Sequence, residues 1–432
     1  MATGGGAAPE EAAPSAPRIA TWLDAFEEAC SASRYDDAAA MLEEQVLTLL
    51  GRGEHDTVAT LIARLPVAAR TPLLRAADAD VSTRAHAIDL ASLDALERRV
   101  QSRIDLRAFV VAVKAQHLLW RGDPLCFSVA QSGLDLLPHD GLVSPVGLFA
   151  RGRLRLVLAI GTLFVSFAAR ASAEELLDDA VADFMRAGAL AEAAAAQAYV
   201  HGLIAAVTWT DVADAAETVG AAAARLQSRH SPYAPFALVS EALLRFIAGD
   251  MWSCHRVLES YDRWRGPRPE FVPFIADYVR LVAQLIGDGG AGDAFDGDAV
   301  RIVDGLDRHA PELAGTMTLT IAGVLTDIGD HSRARQWLAR ARQAPQPLPS
   351  DPLGRQLLEA RLRLAHARGG EVDDAVTSGL EAVAGMREAG YGRAADIALA
   401  RLARSVRDAG YDARADGLRD AAAAALVPVQ TV

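Results

Sequence analysis

Asp178, Asp179 and Asp183 follow a long apolar segment at a spacing that sets two carboxylates one helical turn from a third. Hard oxygen ligands placed this way can converge on magnesium and, through it, on a diphosphate. The bland reading competes directly, because acidic residues near the start of a helix are favoured by its dipole. Gly287 to Asp298 offers a second oxygen-rich stretch, with Asp288, Asp293, Asp296 and Asp298 among glycines. Its aspartates do not match the spacing of a calcium-binding helix–loop–helix, and no glutamate closes the loop. It reads as a flexible insert.

Other chemistries are excluded more sharply. Lys114 is the sole lysine and has no glycine-rich turn before it, so a phosphate-cradling P-loop is ruled out. Cys254-His255 could suggest a thiol nucleophile, but Cys254 stands where its repeat has a small residue, as an ordinary packing cysteine would. Gly-x-Ser-x-Gly and His-Glu-x-x-His are both lacking, and the ten histidines are scattered. No catalytic residue, metal site or cofactor is expected.

The best binding candidate is Tyr261 to Glu270. Arg263, Arg265 and Arg268 surround Trp264, with Trp252 and Tyr233 nearby in sequence. Guanidinium forks beside aromatic faces are enriched at binding hot spots. A corner between repeats, plugged by Trp264 under solvated arginines, would use the same residues. A second arginine set, Arg333, Arg335, Arg340 and Arg342, reads as a solvated helix face.

These residues must be carried by helices. Gly249-Asp250…Cys254, Gly329-Asp330…Ala334, Gly370-Glu371…Ala375 and Gly410-Tyr411…Ala415 repeat one pattern of turn residue, polar residue and small residue. The last three turns are 41 and 40 residues apart, and the first two are 80 apart. A period in this range marks stacked helix–turn–helix units. Ala395, Leu399, Leu402 and Val406 form one apolar stripe, with Arg393, Asp396, Arg404 and Arg407 off it. Upstream, turns fall at Gly53-Glu54, Gly122-Asp123, Arg170 to Ser172 and Trp209 to Asp211, while residues 69–99 carry a weaker helical signal. Strand patterns are lacking.

Composition agrees. Of 432 residues, 51% are apolar and only 6% aromatic, which favours helix over sheet. A net charge of −13 argues against wide nucleic-acid or anionic-membrane contact. Three dispersed cysteines make no disulfide framework and suit a reducing cytoplasm. The longest apolar run, Leu156 to Ala169, has 14 residues, short of the roughly 20 that span a bilayer. Met1 to Pro17 has no signal-peptide pattern and reads as a disordered tail.

The repeat resembles the tetratricopeptide pattern with longer helices. Leu49-Leu50-Gly51-Arg52-Gly53-Glu54-His55-Asp56 running to Ala63-Arg64-Leu65-Pro66 resembles the opening of the helical repeat region in the large MalT-like regulators of the LuxR class. Gly329-Asp330-His331-Ser332-Arg333-Ala334 and the final two units resemble its end. Those bacterial regulators place an ATPase domain before the array and a helix-turn-helix domain after it, and neither is expected here. Separately, the aspartate trio resembles the first metal motif of class I terpene synthases, whose second motif is missing downstream.

The expected fold is all-α, a right-handed superhelical array of antiparallel helix pairs. Its expected divisions are a tail at 1–17, repeats over 18–286, the loop 287–298, repeats over 299–426 and a tail at 427–432. The expected function is a non-enzymatic, cytoplasmic scaffold or sensor with a regulatory role. It would bind a protein, peptide or small molecule on its concave face. The alternative is a magnesium-dependent enzyme acting on a prenyl diphosphate through Asp178, Asp179 and Asp183.

Overall fold

The computed structural model describes residues 16–83, 89–121, 123–138, 143–165, 170–208, 211–231, 233–266, 268, 271–287, 292, 294–309, 311–343 and 351–426. Among these residues the regular structure is entirely helical. The helices are α1 (Ala16–Ser31), α2 (Tyr35–Gly51), α3 (His55–Ala63), α4 (Pro72–Thr83), α5 (Leu90–Arg99), α6 (Ile104–Trp120) and α7 (Leu125–Leu134). Then come α8 (Pro145–Val165), α9 (Arg170–Arg186), α10 (Leu190–Thr208), α11 (Val212–Ser228), α12 (Ala234–Ile247), α13 (Met251–Arg263) and α14 (Val272–Gly287). The last are α15 (Phe295–His309), α16 (Pro311–Asp327), α17 (His331–Ala341), α18 (Asp351–Leu364), α19 (Gly370–Glu388), α20 (Gly392–Asp408) and α21 (Asp412–Leu426), and a single 3-10 turn lies at Val67–Ala69.

The glycine punctuation works as a helix stop joined to a helix start. At Gly329 the backbone turns left-handed, φ 87°, where a side chain would be strained. Its N–H donates to the Thr326 carbonyl at 3.2 Å and the Asp330 N–H reaches back to Leu325 at 2.9 Å, closing α16. The Asp330 carboxylate then accepts from the Arg333 N–H at 3.1 Å and opens α17. Gly249 and Asp250 do the same between α12 and α13. The small residues Cys254, Ala334, Ala375 and Ala415 are fully buried, as close helix approach requires.

Some positions shift. Gly369, not Gly370, takes the left-handed turn, and Gly370 is the first residue of α19. Arg170 to Ser172 already belong to α9, and α1 begins at Ala16, inside the expected tail. Phe295 to Asp298 form the first turn of α15, so the Gly/Asp segment is shorter than expected. It joins α14 to α15 in step with the period, because acidic residues suit a helix N-terminus as well as a loop. Residues 1–15, Gly122, 288–291, Asp293 and 427–432 lie outside the described residues.

The packing has two layers. Every even-numbered helix from α2 to α20 touches the next even-numbered one, so these ten make a continuous inner layer. The odd-numbered helices pack on their chain neighbours and have no comparable contact with one another among the described residues. The inner layer also meets itself at long range, since α10 touches both α2 and α20. At that junction a Cβ on Gly51 would lie 2.8 Å from the Ala189 backbone, so only glycine permits the approach. One hydrophobic cluster accordingly joins Phe26 through Val200 to Leu357 through Ala422.

Candidate functional site

The residues singled out in the sequence do not form one site. Trp264 is buried and lies 6.2 Å from the His230 ring, a plug at the end of α13. Arg268 stacks over Tyr261 at 4.5 Å and donates to the Trp264 carbonyl at 2.7 Å, which fastens the turn. Arg263 donates back into its own helix, and Arg265 is exposed. Trp252 is 68% exposed and covered by its neighbour Arg256 at 4.5 Å. Tyr233 is buried and faces a different group of residues, described below.

Of the three aspartates, Asp179 and Asp183 are both taken up by Arg155, and Asp178 is exposed. Asp183 is buried and receives two bonds of 2.8 Å from Arg151 and one of 2.6 Å from Arg155. Asp179 pairs with Arg155 at 2.9 Å. Arg151 and Arg155 stand four apart on one face of α8 and so converge on α9. Cys254 is buried, and desolvation pushes its thiol pKa up to about 11, so it is protonated at neutral pH. Among the described residues no group of three His, Cys, Asp or Glu side chains could hold a metal ion. No helix there is long and apolar enough to cross a membrane. Three of the four arginines taken as a solvated face are paired: Arg333 with Asp296, Arg340 with Asp304 and Arg342 with Glu359. They bind α17 to α15 and α18.

A buried polar group lies on the inner layer. Arg153 of α8, 1% exposed, donates to both oxygens of Asp80 of α4 at 2.6 and 3.0 Å. The same guanidinium reaches Glu192 of α10 at 2.7 Å. Tyr233, capping α12, donates to Glu192 at 2.9 Å and accepts from Gln116 of α6 at 2.5 Å. Phe149 lies under the guanidinium at 4.5 Å, a cation–π contact. Burial alone would push the Arg153 pKa down, but Asp80 and Glu192 outweigh it and hold the pKa well above its ordinary value. Five consecutive inner helices thus close on one plug.

Further along the same layer the helices leave space. A cleft of about 200 Å³ opens between α16, α18 and α20. Gly323, Gly354, Ala394 and Ala398 keep it open, and Leu319, Leu357, Met386 and Ile397 make it apolar. Thr316 and Thr320 lie on one wall, Arg361 and Arg401 on another. Arg361 and Arg401 share a single carboxylate, Asp327, the latter at 3.6 Å. Arg361 also donates to the Ser405 hydroxyl at 3.1 Å. Burial lowers the Arg361 pKa more than Asp327 raises it, and Arg401 and Arg404 add repulsion. Beside the cleft, Tyr278 of α14 is buried, and desolvation lifts its phenol pKa to about 12.

Sequence reasoning missed both features, yet a signal existed. Arg151, Arg153 and Arg155 interrupt an otherwise apolar segment, and Glu192 stands alone among alanines. Charges embedded in a buried stretch require partners of opposite sign. The cleft had no comparable sign, because its floor is simply glycine and alanine. No family model matches the chain, and no curated protein matches it in sequence.

Proposed function

We propose that the chain is a non-enzymatic helical-repeat scaffold or sensor, a right-handed superhelical array of antiparallel pairs, acting in the cytoplasm in a regulatory role. The cleft between α16, α18 and α20 is its ligand site. It takes a small molecule, or the side chain of a peptide or protein partner, with an apolar body and one acidic end. The observation that carries this reading is that Arg361 and Arg401 stand together on one wall of a largely apolar cleft. An acidic group bound there would meet two guanidinium groups, while the buried Asp351, held by Thr316, also lines the cleft. The period near 40 residues, the continuous inner layer and the resemblance to MalT-like repeat regions support the array. Aromatic poverty and small inner residues fit a scaffold shaped for contact rather than for chemistry.

The probe 1-anilinonaphthalene-8-sulfonate has an apolar body and one anionic end. Native protein should enhance its fluorescence with saturation near one site. Gly323→Leu with Gly354→Leu should fill the cleft, and Arg401→Gln should remove charge from its wall. Both changes should weaken the binding about tenfold. Equal binding by native protein and both variants, or no enhancement at all, would remove the site.

A further inference from the structure

A larger opening lies on the opposite side of α18. It encloses about 680 Å³ between α17, α18 and the first turn of α19, a volume within the ordinary range for small-molecule sites. Its lining includes Arg335, Arg342, Arg363 and His366 together with Glu359, Glu371 and Asp374. These cations differ in how they are satisfied. Arg342 is held by Glu359 at 2.7 and 3.2 Å. Along the same two helices Arg333, Arg340 and Arg361 each have a carboxylate. Arg335 and Arg363 have none among the described residues, although both border the opening. His366 stands edge-on to His331, ring centres 6.0 Å apart.

We propose that this opening binds a small dianion, a phosphate monoester or a dicarboxylate, through Arg335, Arg363 and His366. Two permanent charges without carboxylate partners among the described residues, beside an imidazole, suit a ligand with two negative charges. The guanidinium forks supply paired donors to a phosphate or carboxylate, and His366 adds a third direction. The charged and titratable groups acting on His331 are His366, Arg335, Arg361 and its preceding N-cap Asp330. The His331 pKa is held down by burial first, then by His366, Arg335 and Arg361. An anion placed among them would relieve that repulsion and raise the His331 pKa. The site is separate from the inner cleft and does not depend on it.

The test is a titration of the full chain with glycerol 3-phosphate and, in a second arm, succinate, following both imidazoles by NMR and the heat by calorimetry. Saturable binding of either probe, with upward movement of the His331 pKa, is expected, and the tighter arm identifies the source of the dianion. Arg335→Gln with Arg363→Gln should weaken binding at least about tenfold, and Lys at both positions should retain part of it. His366→Asn, a single exposed change, provides a second weakened variant should the double one melt early. The proposal fails if neither probe binds, if sodium chloride at equal ionic strength gives the same shifts, or if the Gln pair binds as tightly as native protein.

Discussion

Arg153 and Arg361 occupy the same layer of the same architecture and end in opposite electrostatic states. Around Arg153, α4, α6, α8, α10 and α12 bring two carboxylates, a phenol and an amide, and the carboxylates hold the guanidinium pKa above its ordinary value. Around Arg361, α16, α18 and α20 bring one carboxylate that Arg401 also uses, and burial prevails. The packing differs in parallel. A Cβ on Gly152 would lie 2.8 Å from the Phe184 ring, whereas one on Gly323 would meet nothing within 4 Å. A layer of small-faced helices can therefore be locked by a polar plug or left open at a cleft, and the neighbouring side chains decide which.

The sharpest way to break this contrast is to remove the two arginines. Arg153→Met strands Asp80 and Glu192 in the interior and should cost about 3–5 kcal/mol. Arg361→Met leaves Asp327 with Arg401 and near solvent, so about 1–2 kcal/mol is expected. Denaturant midpoints would rank them; equal losses would mean that the plug has no special status. Pairing Arg153→Met with Asp80→Asn and Glu192→Gln should restore much of the loss.

A smaller effect comes from pH at the open half. Folding raises the Tyr278 pKa from 10.0 to about 12, so the unfolded chain ionises first. Its contribution is therefore complete below about pH 10 and declines as pH climbs to about 12, by roughly 2–3 kcal/mol in all. Tyr278→Phe should flatten that part of the stability curve, and an unchanged slope would count against a dry wall beside the cleft. The last pair of changes is the most local. Gly152→Ala should destabilise by about 1–3 kcal/mol through overpacking against Phe184. Gly323→Ala, in a helix interior with room for the methyl, should stabilise by about 0.5–1 kcal/mol. Melting curves that show the same sign for both would mean that the two halves are packed alike.

Helix class and turn positions were legible because glycine stops and aspartate starts act through the local backbone. Gly249-Asp250 and Gly329-Asp330 show the stop and start in full. The stripe of Ala395, Leu399, Leu402 and Val406 is buried throughout, while Asp396, placed off it, is also buried and held by Arg387 at 2.8 Å. Choosing Gly370 over Gly369 missed by one residue, since either glycine can take the turn. The binding cluster was legible only as composition. Tyr233 and Trp264 are close in sequence, but the fold directs Tyr233 to Glu192 and Gln116, which are 41 and 117 residues away. The plug depends on such distant pairings, and the open cleft on side chains too small to leave a pattern.

Native-state hydrogen exchange across the inner layer compares the two halves most directly. Amides of α8 around Arg153 should exchange far more slowly than those of α18 around Arg361, through an opening whose free energy Arg153→Met lowers selectively. Equal protection in the two helices, or faster exchange in α8 than in α18, would contradict a plugged half set against an open one.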